Sequence, residues 1–129
     1  MTGPAAGSDI VSVDAVQVAG EQVYWVEGRA GGDVLVRSRG LTGGVDVLPA
    51  GVAVASYVHE YGGGAYLATD NAVWFVHADD QQIWRTTRAG PRAVTAAPRR
   101  GENRYADLRL SAAGLLVAVR ERHLNGTVT

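Results

Sequence analysis

With 129 residues, 47% of them hydrophobic, the chain is long enough to bury a core of its own. The net charge is −1, and all twelve basic residues are arginines scattered along the sequence, which leaves no electrostatic footprint for nucleic acid. The absence of cysteine excludes disulfides, thiolate metal sites and a cysteine nucleophile, and it fits the cytoplasm.

Residues 1–10 form a tail of small residues, expected to be flexible, with no basic region followed by an apolar run. Neither a secretory signal nor a membrane anchor is expected there. Residues 11–19 alternate loosely, with Val11, Val13 and Ala15 against Ser12, Asp14 and Gln17, which predicts a short strand or a pair of strands. Ala19-Gly20 then turns the chain into Gln22-Val23-Tyr24-Trp25-Val26-Glu27-Gly28, a β-branched and aromatic run of strand length. A turn at Ala30-Gly31-Gly32-Asp33 and the alternating residues 34–39 complete a hairpin. Gly43-Gly44 turns again into residues 45–48, and Pro49 with Gly51 closes the unit.

The pattern then recurs. Residues 65–68 predict a strand, Asp70-Asn71 a tight turn, residues 72–77 a second strand and residues 82–87 a third, with Gly90-Pro91 turning into residues 93–95. Val23-Tyr24-Trp25-Val26 matches Val73-Trp74-Phe75-Val76 at an offset of 50, and Leu35-Val36-Arg37 matches Ile83-Trp84-Arg85 at 48. Two independent matches at nearly one period make a repeat. A third unit opens at residues 104–110, turns at Ala113-Gly114 and runs through Leu115-Leu116-Val117-Ala118-Val119. The central runs 23–26, 73–76 and 115–119 are apolar at every position, so both faces of each are expected to be covered. Blades of a β-propeller meet that requirement, because each sheet packs between two others. The expected fold is all-β, about two and a half four-stranded blades of a larger propeller. Blade one is placed at about 11–51, blade two at about 57–97 and an incomplete blade three at about 102–129.

The stretch Val58-His59-Glu60-Tyr61-Gly62-Gly63-Gly64-Ala65-Tyr66 stands apart from ordinary surface chemistry. Consecutive glycines raise the entropy that folding must overcome, so Gly62, Gly63 and Gly64 are expected to serve a positive-φ turn, a bulge or a close approach of another strand. His59-Glu60 could open a His-Glu-x-x-His zinc helix, but position 63 is glycine where the second histidine should stand, and no metal is expected. Phosphate binding by the glycines lacks any lysine and any following helix. Asp70, Asp79 and Asp80 lack the spacing of a calcium loop and are assigned to turn capping. Tyr24, Trp25, Trp74, Phe75 and Trp84 occupy matching strand positions and are assigned to the core rather than to a stacking platform. The basic segment 99–104 is read as a solvated loop between blades, with Arg104 and Asp107 as a local ion pair.

Taken with Val73-Trp74-Phe75, Asp80-Gln81-Gln82-Ile83-Trp84-Arg85, Arg104-Tyr105-Ala106-Asp107 and Val119-Arg120-Glu121, this stretch resembles the N-terminal propeller of S9 serine peptidases. The acylaminoacyl-peptidase and dipeptidyl-aminopeptidase-like members of the prolyl oligopeptidase family are the most similar subgroup, over residues 16–129. Arg122 departs from the pattern, standing where an acidic residue is expected. The resemblance implies a propeller that restricts the access of peptides to a C-terminal α/β-hydrolase domain carrying a Ser, Asp and His triad. None of Ser8, Ser12, Ser38, Ser56 and Ser111 lies in a Gly-x-Ser-x-Gly elbow, so no catalytic residue can be placed on the chain, which is expected to be inactive alone. Under this resemblance His59, Glu60 and Tyr61 either hydrogen-bond within the start of the blade or line the tunnel and face the hydrolase domain. The implied partners are that domain and its peptide substrates, with self-association of the bare segment and no cofactor, nucleic acid or membrane. The alternative is a stand-alone β-rich module that binds a peptide or glycan.

Overall fold

The computed structural model describes residues 10–39, 43–58 and 64–129, and among them there are strands but no helix. Three antiparallel sheets follow one another along the chain. The first contains β1 (Ile10–Ala19), β2 (Gln22–Arg29), β3 (Gly32–Ser38) and β4 (Val45–Asp46), in that spatial order. The second contains β5 (Tyr66–Ala68), β6 (Val73–Val76), β7 (Ile83–Thr87) and β8 (Gly90–Ala93). The third is ordered β11 (Thr127–Val128), β10 (Leu116–Leu124), β9 (Asn103–Leu110). This is the all-β, partial-propeller fold expected from the sequence.

Pairing reproduces the repeat residue by residue. Val23 lies opposite Ser38 and Val26 opposite Leu35; fifty positions on, Val73 lies opposite Thr86 and Val76 opposite Ile83. Because successive side chains leave a strand on opposite faces, this shared register also fixes which sheet each residue meets. Tyr24, Val26 and Leu35 of the first sheet pack with Tyr66, Val73 and Phe75 of the second, and Leu48 and Val54 of the connection join them. From the other face of the second sheet, Val76 and Ile83, with Trp74, pack with Leu108, Leu116 and Ala118 of the third. Phe75 and Val76 are therefore both fully buried although they are adjacent in sequence.

Three sequence expectations need correction. The strand Leu116–Leu124 is not covered on both faces: Val117 is 53% exposed and neighbouring Leu115 66%, because the described residues supply the third sheet with one sheet neighbour only. The turn expected at Gly90-Pro91 falls earlier, at Arg88-Ala89. Gly90 and Pro91 begin β8, an edge strand where the missing amide of proline is tolerated. Arg104 does not pair with Asp107, whose carboxylate instead meets Arg109 at 2.9 Å, while Arg104 donates to the carbonyls of Gly101 and Tyr57.

The first strands of the sheets, β1, β5 and β9, lie side by side. Bulges set Ala15 and Val16 opposite Trp25 in β1, and Asp107 and Leu108 opposite Ala118 in β9. Ala15 and Asp107 both take φ of 55°, and Gly64, just before β5, takes 72°. The Gln17 side chain completes the join between β1 and β5: its amide nitrogen donates to the Tyr66 carbonyl and its oxygen accepts from Ala68 N–H, both at 2.8 Å. The Tyr66 phenol, 1% exposed, donates to the Ala15 carbonyl.

At Gly64 a Cβ would stand 2.5 Å from the Asp107 nitrogen and 2.6 Å from its Cα, on a backbone already at positive φ. Gly64→Ala should therefore lower unfolding stability by about 2–3 kcal/mol, against about 1 kcal/mol for Gly51→Ala, which has positive φ and open space around it. Urea melts of the two variants measure the difference, and equal losses would show that the approach of β9 imposes nothing. Burial, helped by the charge of Asp14, pushes the Tyr66 phenol up. The folded chain then keeps a proton that the unfolded chain releases near pH 10, so stability is full below about pH 10 and declines above it by up to about 1.4 kcal/mol per pH unit. Tyr66→Phe should flatten that decline in pH-dependent melts.

Candidate functional site

The glycine-rich stretch leaves one described segment and enters another, and both ends are held by the third sheet. Upstream, the connection from β4 passes between the first two sheets, where Val54 N–H donates to the Asp33 carbonyl at 2.9 Å and Ala55 N–H to that of Val76 at 3.2 Å. Ser56 Oγ then donates to the Tyr105 carbonyl of β9, and Arg104 reaches the Tyr57 carbonyl at 3.5 Å. Downstream, Gly64 lies against the Asp107 backbone and accepts from Leu108 N–H at 3.3 Å. Four contacts thus tie residues 56, 57 and 64 to Arg104, Tyr105, Asp107 and Leu108. His59, Glu60, Tyr61, Gly62 and Gly63 lie outside the described residues; Tyr57 and Gly64, on either side of that stretch, are fixed in this way.

Gln81 stabilises the same end of the sheets. It sits in the β6–β7 turn at φ 61°, 3% exposed, and its amide nitrogen donates to the carbonyls of Ala55 at 3.0 Å and Ala78 at 3.2 Å, while its oxygen accepts from Tyr57 N–H at 2.8 Å. Gln82, also buried, accepts from Thr95 Oγ1 at 2.9 Å and donates to the Asn103 carbonyl at 3.4 Å, so it spans from the second sheet to the third. The two adjacent glutamines supply donors and acceptors where strand pairing ends. Neither was singled out among the candidate site residues, although both stand in the quoted motif. The available signal was two amides in succession ahead of the apolar strand β7.

Other candidate side chains are engaged locally. Asp80 caps Gln82 N–H at 2.9 Å and holds the Trp84 indole N–H at 3.1 Å, and Asp79 pairs with Arg100 at 2.8 Å. His77 Nδ1 accepts from Asp79 N–H at 3.2 Å, and its ring lies 5.1 Å from that of Trp84. His123 meets Glu121 at 2.5 Å, and Ser111 Oγ accepts from Leu115 N–H. Arg122, the departure from the family pattern, reaches the buried Glu102 carboxylate at 3.5 Å. No three His, Asp or Glu side chains converge among the described residues.

A recess of about 140 Å³ opens beside Gly64, lined by Asp14, Ala15, Asp33, Ser56 and Tyr66. It is too small for a peptide, since ligand sites are typically about 300–1,000 Å³. What this region does physically is hold Ser56, Tyr57 and Gly64 at a fixed place on the third sheet. Gln81→Ala would leave Tyr57 N–H and the Ala55 carbonyl without partners, which should cost about 2–4 kcal/mol. It should also speed hydrogen exchange at the Tyr57 amide, and an unchanged exchange rate there would show that the glutamine does not anchor the Tyr57 backbone.

No protein-family model and no curated protein matches the chain. Solved structures do. A puromycin-hydrolysing peptidase of Mycobacterium tuberculosis is 31% identical and superposes with a TM-score of 0.76 over 87% of this chain. Puromycin hydrolase is 26% identical, and a mutant of puromycin hydrolase complexed with PGG 27%, each with a TM-score of 0.76 over 88% of the chain. The chain spans about a fifth of the length of these proteins, 19% of the first and 20% of the others. Sequence resemblance and shared fold therefore agree: the chain carries a partial β-propeller fold that matches the N-terminal propeller part of S9 serine peptidases.

Proposed function

We propose that this chain is the non-catalytic propeller segment of an S9-type serine peptidase, a segment that gates the access of peptides to a C-terminal α/β-hydrolase domain. The observation that carries the reading is the 31% identity across 87% of the chain to 19% of a peptidase. The sequence contains no Gly-x-Ser-x-Gly elbow, in keeping with a structural rather than a chemical part in proteolysis. The open face of the third sheet, with Val117 53% exposed, fits a further sheet packed as the second packs on the first. In the isolated chain that face drives self-association. His59, Glu60 and Tyr61, which follow residues tied to β9, face the tunnel or the hydrolase domain. A cysteine-free chain suits a cytoplasmic enzyme.

Purified chain should show no turnover of aminoacyl or peptidyl chromogenic substrates or of puromycin, and turnover abolished by a serine-directed inhibitor would overturn the reading. A positive arm uses a puromycin-hydrolysing peptidase from which the matching fifth of the sequence has been replaced by this chain. The chimera should cleave short peptides in preference to long ones, and deletion of the segment should abolish that preference. A chimera that cleaves long and short peptides alike would sink the gating role.

A further inference from the structure

A second, larger opening lies between the first and second sheets, at the far ends of β5 and β7 from Gly64. This groove has a volume of about 480 Å³, within the range of small-molecule sites. Tyr24 from the first sheet and Val73 from the second lie at its floor, 5% and 4% exposed, among the polar side chains of Gln22, Thr69, Asn71 and Thr86. Register places Arg37 directly opposite Tyr24 and Thr86 directly opposite Val73, so these four side chains face one another across the gap. Arg88, in the β7–β8 turn, stands at the rim.

Arg37 and Arg88 are exposed, and neither has an ion-pair partner among the described residues, whereas Arg29, Arg39, Arg100, Arg109 and Arg122 all meet carboxylates. The repeat supplies a direct comparison: Arg85, the counterpart of Arg37 in the second sheet, lies 5.5 Å over the Trp74 ring and is occupied there. Asp70, on the opposite rim, lies against the Gly20 backbone and leaves the lining net positive. Two unoccupied guanidinium groups on a largely polar lining are suited to a small oxyanion, since a planar fork of N–H donors matches a carboxylate.

We propose that this groove binds the C-terminal carboxylate of a short peptide, with Arg37 and Arg88 as its partners. The carboxylate is argued from the groove; the choice of a peptide as its carrier rests on the peptidase reading. The test is isothermal titration of the full chain with N-acetyl-alanyl-alanine, with the same dipeptide as its C-terminal amide, and with inorganic phosphate. Saturable binding of the acid is expected, with no binding of the amide, and Arg37→Ala and Arg88→Ala should each weaken the acid by about tenfold. Arg37→Lys should recover part of the loss, and unchanged melting of the variants verifies that these exposed positions leave the fold intact. Equal binding of acid and amide, no binding of the acid, or binding indifferent to both arginines would overturn the proposal. Binding of phosphate without the dipeptide acid would overturn the peptide assignment. Because the readout is binding rather than turnover, failure here leaves the gating role standing, and loss of gating in the chimera with intact dipeptide binding would sink the gating role alone.

Discussion

Alternation of side chains along each strand, applied to sheets stacked face against face, is the constraint from which the rest of this chain follows. In a sheet with one wet face, a polar residue at every second position would be harmless. In the second sheet it would not: Val73 and Phe75 pack toward the first sheet while Trp74 and Val76 pack toward the third. Four apolar residues in succession are therefore required, and a polar replacement at any of them would be buried against a neighbouring sheet. Each fully buried side chain of this kind contributes about 1.5–3 kcal/mol, so the middle sheet holds the other two in place through a short run of residues.

Hydrophobic contact between sheets is strong but tolerant of sliding, and buried amides restrict it. Gln17 bonds to the backbone on both sides of Leu67, so it admits a single alignment of β1 with β5. Gln81 does the same between the connection and the β6–β7 turn, and Gln82 does so toward Asn103. A glutamine suits this task because one side chain carries both a donor and an acceptor on a flexible arm. The cost of burying it is offset only when both ends are satisfied, which makes such residues sensitive to misalignment. Bulges in β1 and β9 complete the arrangement by redirecting the chain where neighbouring first strands meet.

These two kinds of information differ in how readily a sequence displays them. The repeat was legible because Val23-Tyr24-Trp25-Val26 and Val73-Trp74-Phe75-Val76 keep both their chemistry and their pairing register. The bulge residues were not: Ala15 and Asp107 carry no glycine or asparagine to mark a left-handed backbone, which tertiary contacts impose on them. The Arg104–Asp107 pairing fails for a simpler reason: residues three apart along a strand leave it on opposite faces, and Asp107 meets Arg109 instead. At the glycine-rich stretch, the close approach of another strand was legible as one of three reasons for bare backbone, and at Gly64 the Asp107 backbone supplies it. Which strand would approach was not legible, because Gly64 and Asp107 are brought together only by packing of the second sheet on the third.

The outer faces of the first and third sheets differ in a way that bears on what can lie against each. On the face of the first sheet turned away from the second, Trp25 donates to Glu27 at 3.0 Å, and Arg29 bridges Glu27 at 2.7 Å and Asp46 at 2.9 Å. Glu27 is 7% exposed, and Gly44 crosses so close to Val36 and Trp25 that a Cβ there would lie 2.8 Å from the valine. That face is already closed by a satisfied charge network, and a surface approaching it must leave those bonds intact or replace them. The third sheet instead presents Val117 and Val119 at the positions that correspond by register to Tyr24 and Val26, the residues with which the first sheet grips the second. Adhesion of another sheet is thus written into the third sheet by the same alternation that built the first two contacts, and the first sheet's outer face is the one that demands a specific polar match.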